Sequence, residues 1–293
     1  MPLKQFYVPS VPDGFRASDC LRRLLPDLPE SMIRRVFAAR DVKVDGRRVS
    51  ADTVVLPGQE LKVYLPDSAA GSDLSSALAV VYEDGDVLLV NKRAGISVEA
   101  DPHGGVTLTD LCAQHAASSD PEAFPPAACH RLDNKTSGLC LFAKNPRSLE
   151  ILQDVFRRRT LEKTYICLVR GMMKPPQAVC RAWLLKDPRN ARVTVLDHEV
   201  PGARSIVTGY ETIESGPVSR LRVHLYTGRT HQIRAHLAAL GHPVLGDDVY
   251  GDRAFNRRGK ARSLKLCAVS LCMDTQGRLP QLDGREFVID PPF

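Results

Sequence analysis

Residues 225–251 read LYTGRTHQIRAHLAALGHPVLGDDVYG, a stretch that joins a strand-like end, a helical pattern and a charged loop. Apolar residues recur at helical spacing through its middle, and Gly241 follows the last of them, which predicts a helix that ends at a glycine cap. His231 and Arg234 are three residues apart and therefore share one face of that helix. The stretch thus predicts a helix that presents a fixed guanidinium group.

A metal site is a poor interpretation of the same stretch. His231 and His236 are five residues apart, so on a helix they diverge by about 140° and cannot share one metal ion as an i,i+4 pair does. The eight cysteines of the chain form no CxxC pair, so zinc-ligand spacing is absent as well. A phosphate-binding glycine loop and the GxSxG elbow of many hydrolases are also missing. We therefore expect no metal.

A second stretch, HRLDNKTSG at residues 130–138, contains a single acidic residue, Asp133. If HRLD is extended, Arg131 and Asp133 point to the same side, and the turn formers that follow place Asp133 where a strand meets a loop. Taken alone, the stretch favours an aspartate that caps the turn through backbone N–H groups. An arginine whose fork holds both carboxylate oxygens would instead keep Asp133 ionised and available as a nucleophile.

A pair of carboxylates, as glycosidases use, is not indicated. Asp133 has no acidic neighbour within its motif, whereas glycoside hydrolysis requires two carboxyl groups at a defined separation. Asp247 and Asp248 could approach Asp133 in space, but nothing in the local sequence requires it. Arginine therefore remains the most plausible partner of Asp133.

The composition divides the chain into two domains. Residues 67–79, DSAAGSDLSSALA, have the composition of a linker. Residues 1–66 contain two helical patterns followed by short alternating strands. Residues 80–293 contain long strand runs with helices between them but no regular alternation of the two. We predict a small α/β domain, a linker, and a larger α+β domain built around a mixed, largely antiparallel sheet.

The charge of the chain is compatible with an anionic partner. The net charge is +6, and arginines bunch in VFRRRTLEKTY (155–165) and GDRAFNRRGKARSLK (251–265). From charge alone, nucleic acid binding and an ordinary solvated face remain equally open. No apolar run reaches the roughly 18–20 residues of a membrane span, and the first residues lack a secretory signal core. We expect a cytoplasmic protein that does not enter membranes.

Four motifs taken in chain order resemble the RluA-type RNA pseudouridine synthases. They are YEDGDVLLVNKRAG, HRLDNKTSG followed by LFAKN, KTYICLVRG, and the long stretch quoted first. The resemblance spans residue 80 to about residue 275 and implies a pseudouridine synthase catalytic domain at 80–293. Residues 1–66 resemble the small RNA-binding domain first known from ribosomal protein S4. Its basic residues, which could contact a phosphate backbone, include Arg34, Arg35, Arg40 and Lys43.

The resemblance implies an isomerase that converts uridine within RNA to pseudouridine, without a cofactor or a metal. In such enzymes the base is detached at N1, rotated and rejoined to the ribose through C5. Asp133 matches the family's catalytic aspartate, which acts either as a nucleophile or as a base that starts a glycal route. Tyr165 matches the tyrosine that packs on the target base and helps to remove the C5 proton. Arg234 matches the arginine that pairs with the aspartate.

RNA contacts are implied for residues around this centre. Arg131 resembles the arginine that fills the RNA stack when the uridine is flipped out. Further RNA contacts are expected from His130, Thr136, Arg229, Thr230 and His231. Asn134 and Lys135 replace the Arg-Asp pair that often follows HRLD, so we expect altered RNA contacts with retained chemistry.

The substrate expected from the resemblance is a structured RNA, either large-subunit ribosomal RNA or transfer RNA. The alternative function is a non-catalytic RNA-binding or ribosome-assembly protein that keeps the same fold. A monomer is expected, since no apolar surface pattern remains unexplained.

Overall fold

The structure is a computed structural model of the chain. The residues that it describes are 3–9, 11–26, 28, 30–64, 78–99, 107–120, 123–187 and 192–293. Two compact units are present: Met1–Ala79 with Glu99–Ser119, and Val80–Val98 with Asp120–Phe293. The predicted boundaries place 99–119 in the larger domain, whereas the contacts group it with the first unit. The predicted linker at 67–79 lies outside the described residues except for Leu78 and Ala79.

The first unit packs helices against a small antiparallel sheet. Its elements are β1 (Leu3–Tyr7), α1 (Ala17–Leu24), α2 (Glu30–Ala38), β2 (Val42–Val44), β3 (Arg47–Arg48), β4 (Glu60–Tyr64) and α3 (Leu108–Ser119). The strand order is β1-β4-β2-β3. Leu21, Val42 and Leu61 are fully buried in its core. Asp45 and Gly46, a dipeptide typical of tight turns, both have positive φ angles.

The second unit is built on one large sheet. Its strands are β5 (Ala79–Glu83), β6 (Val87–Lys92), β7 (Ala127–Ala128), β8 (Ser137–Ala143), β9 (Leu161–Arg170), β10 (Gln177–Lys186), β11 (Val193–Leu196), β12 (Arg204–Glu214), β13 (Val218–Leu225), β14 (Leu266–Met273) and β15 (Glu286–Val288). Its helices are α4 (Pro146–Arg158), α5 (Gln232–Ala239) and α6 (Arg253–Arg258). Within the described residues the sheet has eleven strands in the order β11-β10-β12-β13-β9-β14-β8-β6-β5, with β15 beside β14 and β7 beside β8.

The predicted mixed, largely antiparallel sheet is confirmed. Antiparallel pairs run from β11 to β14, and β14 lies parallel to β8. Every residue of β8 is buried, which explains why its sequence, SGLCLFA, is a continuous apolar run.

Gly138 fixes the contact between β8 and β14. Its φ angle is +116°, and a Cβ atom there would lie 2.2 Å from the carbonyl oxygen of Ala268. Only glycine tolerates both the backbone angle and this close approach. The turn that carries Asp133 is therefore tied directly to the centre of the sheet.

The predicted helix of the opening stretch is confirmed as α5. Its first residue follows His231, which has a φ angle of 55°, and Gly241 beyond its end has a φ angle of 86°. The glycine therefore adopts the left-handed conformation expected of a helix end. No helix in the described ranges of the chain is long and apolar enough to cross a membrane.

Candidate active site

The centre of the site is a buried ion pair between Arg234 and Asp247. Arg234 Nε donates to Asp247 Oδ2 at 2.7 Å and Nη2 donates to Oδ1 at 3.0 Å. Asp247 is fully buried, and its Oδ1 also accepts the N–H groups of Val249 and Tyr250 at 2.8 and 2.9 Å. Burial by itself would raise the pKa of Asp247, but these hydrogen bonds hold it below its usual value. The arginine is thus charged and immobile.

Asp133 receives the remaining arm of this arginine. Arg234 Nη1 donates to Asp133 Oδ2 at 3.2 Å, and the Asp133 side chain is 22% exposed. From the sequence, the fork was expected to hold both oxygens of Asp133. That expectation is wrong, because the fork holds both oxygens of Asp247 instead. Asp133 therefore has a fixed cation beside one oxygen and partial access to solvent.

The turn after Asp133 is closed by its backbone and not by its side chain. The Asp133 carbonyl oxygen accepts the Thr136 N–H at 3.0 Å. The carboxylate faces Arg234 instead of capping the turn, so the turn-capping interpretation is corrected. Because the backbone closes the turn, the Asp133 carboxylate is available to react with a substrate.

A buried lysine anchors the same loop. Lys92 is 1% exposed, and its Nζ donates to the carbonyl oxygens of Arg93, Ile96 and Asn134 at 3.1, 2.7 and 2.8 Å. Burial lowers the pKa of Lys92 to about 8. Lys92 was not identified from the sequence; a lysine directly after the apolar run VLLVN was the available signal.

Asn134 and Lys135 hold the loop in place. Asn134 Nδ2 donates to Ser97 Oγ at 2.8 Å and to the Gly95 carbonyl oxygen at 3.3 Å. Lys135 Nζ donates to Asp248 Oδ2 at 2.5 Å. Both residues that depart from the common family pattern therefore have partners within the protein, and their influence on RNA contacts stays a prediction.

Tyr165 lies on β9. Strand β14 separates β9 from β8, the strand that follows the Asp133 loop. Tyr165 pairs with Ala268 of β14, which in turn pairs with Gly138 of β8, so the three residues form one row across the sheet. Tyr165 is 5% exposed. Burial and the negative charge of Asp133 raise its pKa above the ordinary value. The phenol is therefore neutral at physiological pH.

Two of the predicted RNA contacts point into the protein. The His130 ring stacks on Phe156 with centroids 4.9 Å apart, and its Nε2 accepts the Leu141 N–H at 3.2 Å. Thr136 is 3% exposed. The His130 ring packs inside the protein, and Thr136 Oγ1 is buried without a hydrogen-bond partner among the described residues, so their RNA contacts stay a prediction.

His130 should make the stability of the protein depend on pH. Burial, followed by the charge of Lys163, lowers the pKa of His130 to about 3. The unfolded chain takes up a proton near pH 6.5 and the folded chain does not, so stability falls as the pH falls below that value. The slope is at most about 1.4 kcal/mol per pH unit. In urea titrations from about pH 6.5 to 4.5, His130→Gln should show a shallower slope than the wild type.

His130→Gln preserves an acceptor for the Leu141 N–H, so its baseline stability should change little. Part of the slope that remains should come from His231 and His236, whose pKa values burial also lowers, and below about pH 5 from carboxylates such as Asp247, whose pKa is held below its usual value. Equal slopes for the wild type and the variant would contradict the buried, neutral state of His130.

The other predicted RNA contacts differ in their exposure. In the second unit Arg131, Arg229 and Thr230 are exposed, and His231 is half-buried. In the first unit Arg34 and Arg40 are exposed. Lys43 is half-buried, with its Nζ 5.5 Å from the centre of the Tyr64 ring, and Arg35 lies in α2.

The sequence matches a family model described as RNA pseudouridylate synthase over residues 86–239, more than half of the chain. Ribosomal large subunit pseudouridine synthase C of Vibrio vulnificus is 36% identical over 243 residues, which cover 79% of this chain and 75% of that protein. The same-named protein of Escherichia coli is 32% identical, and the match covers 79% of this chain and 74% of that protein. An uncharacterized RNA pseudouridine synthase of Bacillus subtilis is 33% identical, and the match covers 73% of this chain and 71% of that protein.

Solved structures agree with the fold. Human RNA pseudouridylate synthase domain containing 1 is 26% identical with a TM-score of 0.61, and the match covers 76% of this chain and 86% of that one. Human RNA pseudouridylate synthase domain containing 4 is 24% identical with a TM-score of 0.64 and covers 75% and 91%. The second likeness bears on the fold alone.

Proposed function

The chain belongs to the RNA pseudouridylate synthase family, and from this premise we propose that it converts specific uridines of structured RNA to pseudouridine with Asp133 as the reacting carboxylate. The observation that carries the proposal is the 3.2 Å contact between Arg234 Nη1 and Asp133 Oδ2. This contact sets a partly exposed carboxylate beside a cation that Asp247 already holds in place. Large-subunit ribosomal RNA is the first substrate to test, since several relatives carry it in their names; transfer RNA is the second.

The target base must leave the RNA stack before a carboxylate can reach its sugar. Extruding a base costs a few kcal/mol, and stacking on aromatic and guanidinium planes offsets that cost. Arg131 is exposed in the loop before β8, two residues before Asp133, which suits a side chain that fills the gap in the RNA. The flipped base would stack on the ring of Tyr165.

Two routes remain open once the base has been flipped. In the first, an Asp133 oxygen bonds to C1′ while the C1′–N1 bond breaks and uracil leaves as an anion. In the second, Asp133 takes the C2′ proton, and a glycal forms as uracil leaves. In both routes the uracil rotates and C5 bonds to C1′. At this step the Asp133–C1′ bond breaks in the first route, and the proton that Asp133 took returns to C2′ in the second. The C5 proton is then lost. Because the pKa of Tyr165 is raised, its phenol stays neutral and is suited to orienting the base. The Asp133 carboxylate then accepts the proton that C5 loses.

Release of tritium from C5 of uridine tests this function. Wild-type protein incubated with large-subunit ribosomal RNA transcripts labelled at C5 should release tritium into water, and sites mapped afterwards should contain pseudouridine. Failure of the wild type to release tritium from any cellular RNA would favour the non-catalytic alternative. Mapping pseudouridines in cells with and without the gene then identifies the target.

Tyr165→Ala should separate catalysis from RNA affinity. Loss of the ring removes one base-stacking contact, which predicts a fall in single-turnover rate of about 10- to 100-fold. RNA affinity should change little, because phosphate contacts supply most of it. Rates by tritium release and affinities by filter binding give the two values. Tyr165→Phe keeps the ring and should retain most of the rate; an equal loss of rate and affinity in Tyr165→Ala would contradict the role.

A further inference from the structure

Two hydrogen bonds and one close contact lead from the sheet to the reacting carboxylate through Tyr250 and His231, which have no assigned catalytic role. Tyr250 Oη accepts the Val193 N–H of β11 at 2.9 Å. The same Oη lies 3.0 Å from His231 Nδ1. The other ring nitrogen, Nε2 of His231, lies 3.9 Å from Asp133 Oδ2. Tyr250 therefore touches one side of the imidazole and Asp133 faces the other.

The donors present allow one consistent direction for the hydrogen bonds at Tyr250. A backbone N–H can only donate, so Val193 occupies a lone pair of Tyr250 Oη, and the phenol still has one proton to give. Among the residues that the structure describes, His231 Nδ1 is the acceptor within hydrogen-bonding distance of that proton. Tyr250 can therefore donate its proton to Nδ1, and in that arrangement the proton of a neutral imidazole is on Nε2.

The charges around the pair agree with this assignment. Burial raises the pKa of Tyr250, so the phenol keeps its proton. Burial also lowers the pKa of His231, as does the charge of Arg234, against the opposing effect of Asp133, Asp247 and Asp248. The φ angle of 55° at His231 is rare for a residue other than glycine and is held by the surrounding contacts.

We propose, on the basis of the proposed function, that Tyr250 and His231 are positioning residues that orient the Asp133 carboxylate for reaction. His231 Nε2–H and Arg234 Nη1 both face Oδ2, which leaves Oδ1 as the oxygen that meets the ribose. At 3.9 Å the Nε2–H is beyond a direct hydrogen bond and reaches Oδ2 through a small shift of the carboxylate or one bridging water. His231 thus acts on the reaction through Asp133.

Tyr250→Phe removes the hydroxyl proton that sets the tautomer of His231. The ring remains, and with it the contacts to the guanidinium carbons of Arg234 and Arg192 at 5.5 and 5.6 Å. In nitrogen-15 NMR of the full chain, His231 of the wild type should show the Nε2–H tautomer, and Tyr250→Phe should show both tautomers. The single-turnover rate of tritium release should fall about 10-fold with unchanged RNA affinity. An Nδ1–H tautomer in the wild type, or an unchanged rate in Tyr250→Phe, overturns the proposal.

A second pair of variants covers the possibility that Tyr250→Phe folds poorly because Val193 loses its acceptor. In His231→Gln the side-chain amide can place a donor near the Nε2 position, whereas in His231→Asn it falls near the Nδ1 position. His231→Gln should retain more of the rate than His231→Asn at equal RNA affinity, and equal rates overturn the proposal. An inactive wild type contradicts the proposed function itself, whereas an active wild type with equal variants overturns only the positioning role.

Discussion

Asp133→Asn is expected to abolish tritium release, a loss of about 10⁴-fold or more, because the amide supplies neither a nucleophilic oxygen nor a base. The fold should survive, since the Arg234 fork is held by Asp247 at 2.7 and 3.0 Å and not by Asp133. Removing the Asp133 charge therefore leaves no buried cation without a partner. Urea unfolding should place the variant within about 1 kcal/mol of the wild type.

Asp197→Asn is the matched control, because it makes the same change in charge at a side chain that is 95% exposed. It should release tritium at the wild-type rate. Filter binding of unmodified RNA should give similar affinities for all three proteins, because Asp133 is not a phosphate-binding group. Substantial release of tritium by Asp133→Asn would show that another group begins the reaction.

The architecture of the second unit could be predicted from the sequence where a pattern is local. The helix that carries Arg234 has apolar spacing and a glycine at its end, and both features survive in α5. A continuous apolar run such as SGLCLFA is typical of a buried strand, and the structure places β8 there. The strand order, with β14 between β8 and β9, depends on contacts between residues far apart in the chain, and no local pattern encodes it.

The sequence predicts the members of the candidate site, but it does not predict the hydrogen bonds that connect them. Motif order brought Asp133, Tyr165 and Arg234 together. The partner of the arginine fork, Asp247, is specified only when the loop after α5 folds back on the helix. The burial of Lys92 likewise depends on carbonyl groups from two separate loops. Side chains that hold other groups in place are hard to identify from sequence, because their role depends on contacts between distant parts of the chain.

Arg234→Met should cause the largest loss of stability among the variants considered. The change leaves Asp247, fully buried, without its counter-charge, and breaking a buried pair by removing one partner costs about 3–5 kcal/mol. Activity should also vanish, since Asp133 loses the cation at 3.2 Å. Urea unfolding and tritium release measure the two effects. Arg181→Met, at an exposed position of β10, is the control and should be near wild type in both.

The double variant Arg234→Met/Asp247→Asn separates the two roles of the arginine. The asparagine introduced in place of Asp247 carries no charge, and its side-chain oxygen can still accept the N–H groups of Val249 and Tyr250 that the aspartate accepts at 2.8 and 2.9 Å. Replacing both partners of a buried pair by neutral groups is often close to neutral in stability, so the double variant should recover most of what Arg234→Met loses. Tritium release should not recover, because the recovered fold still lacks a cation beside Asp133. If activity returned together with stability, Arg234 would be a structural residue, and the chemistry at Asp133 would not depend on it.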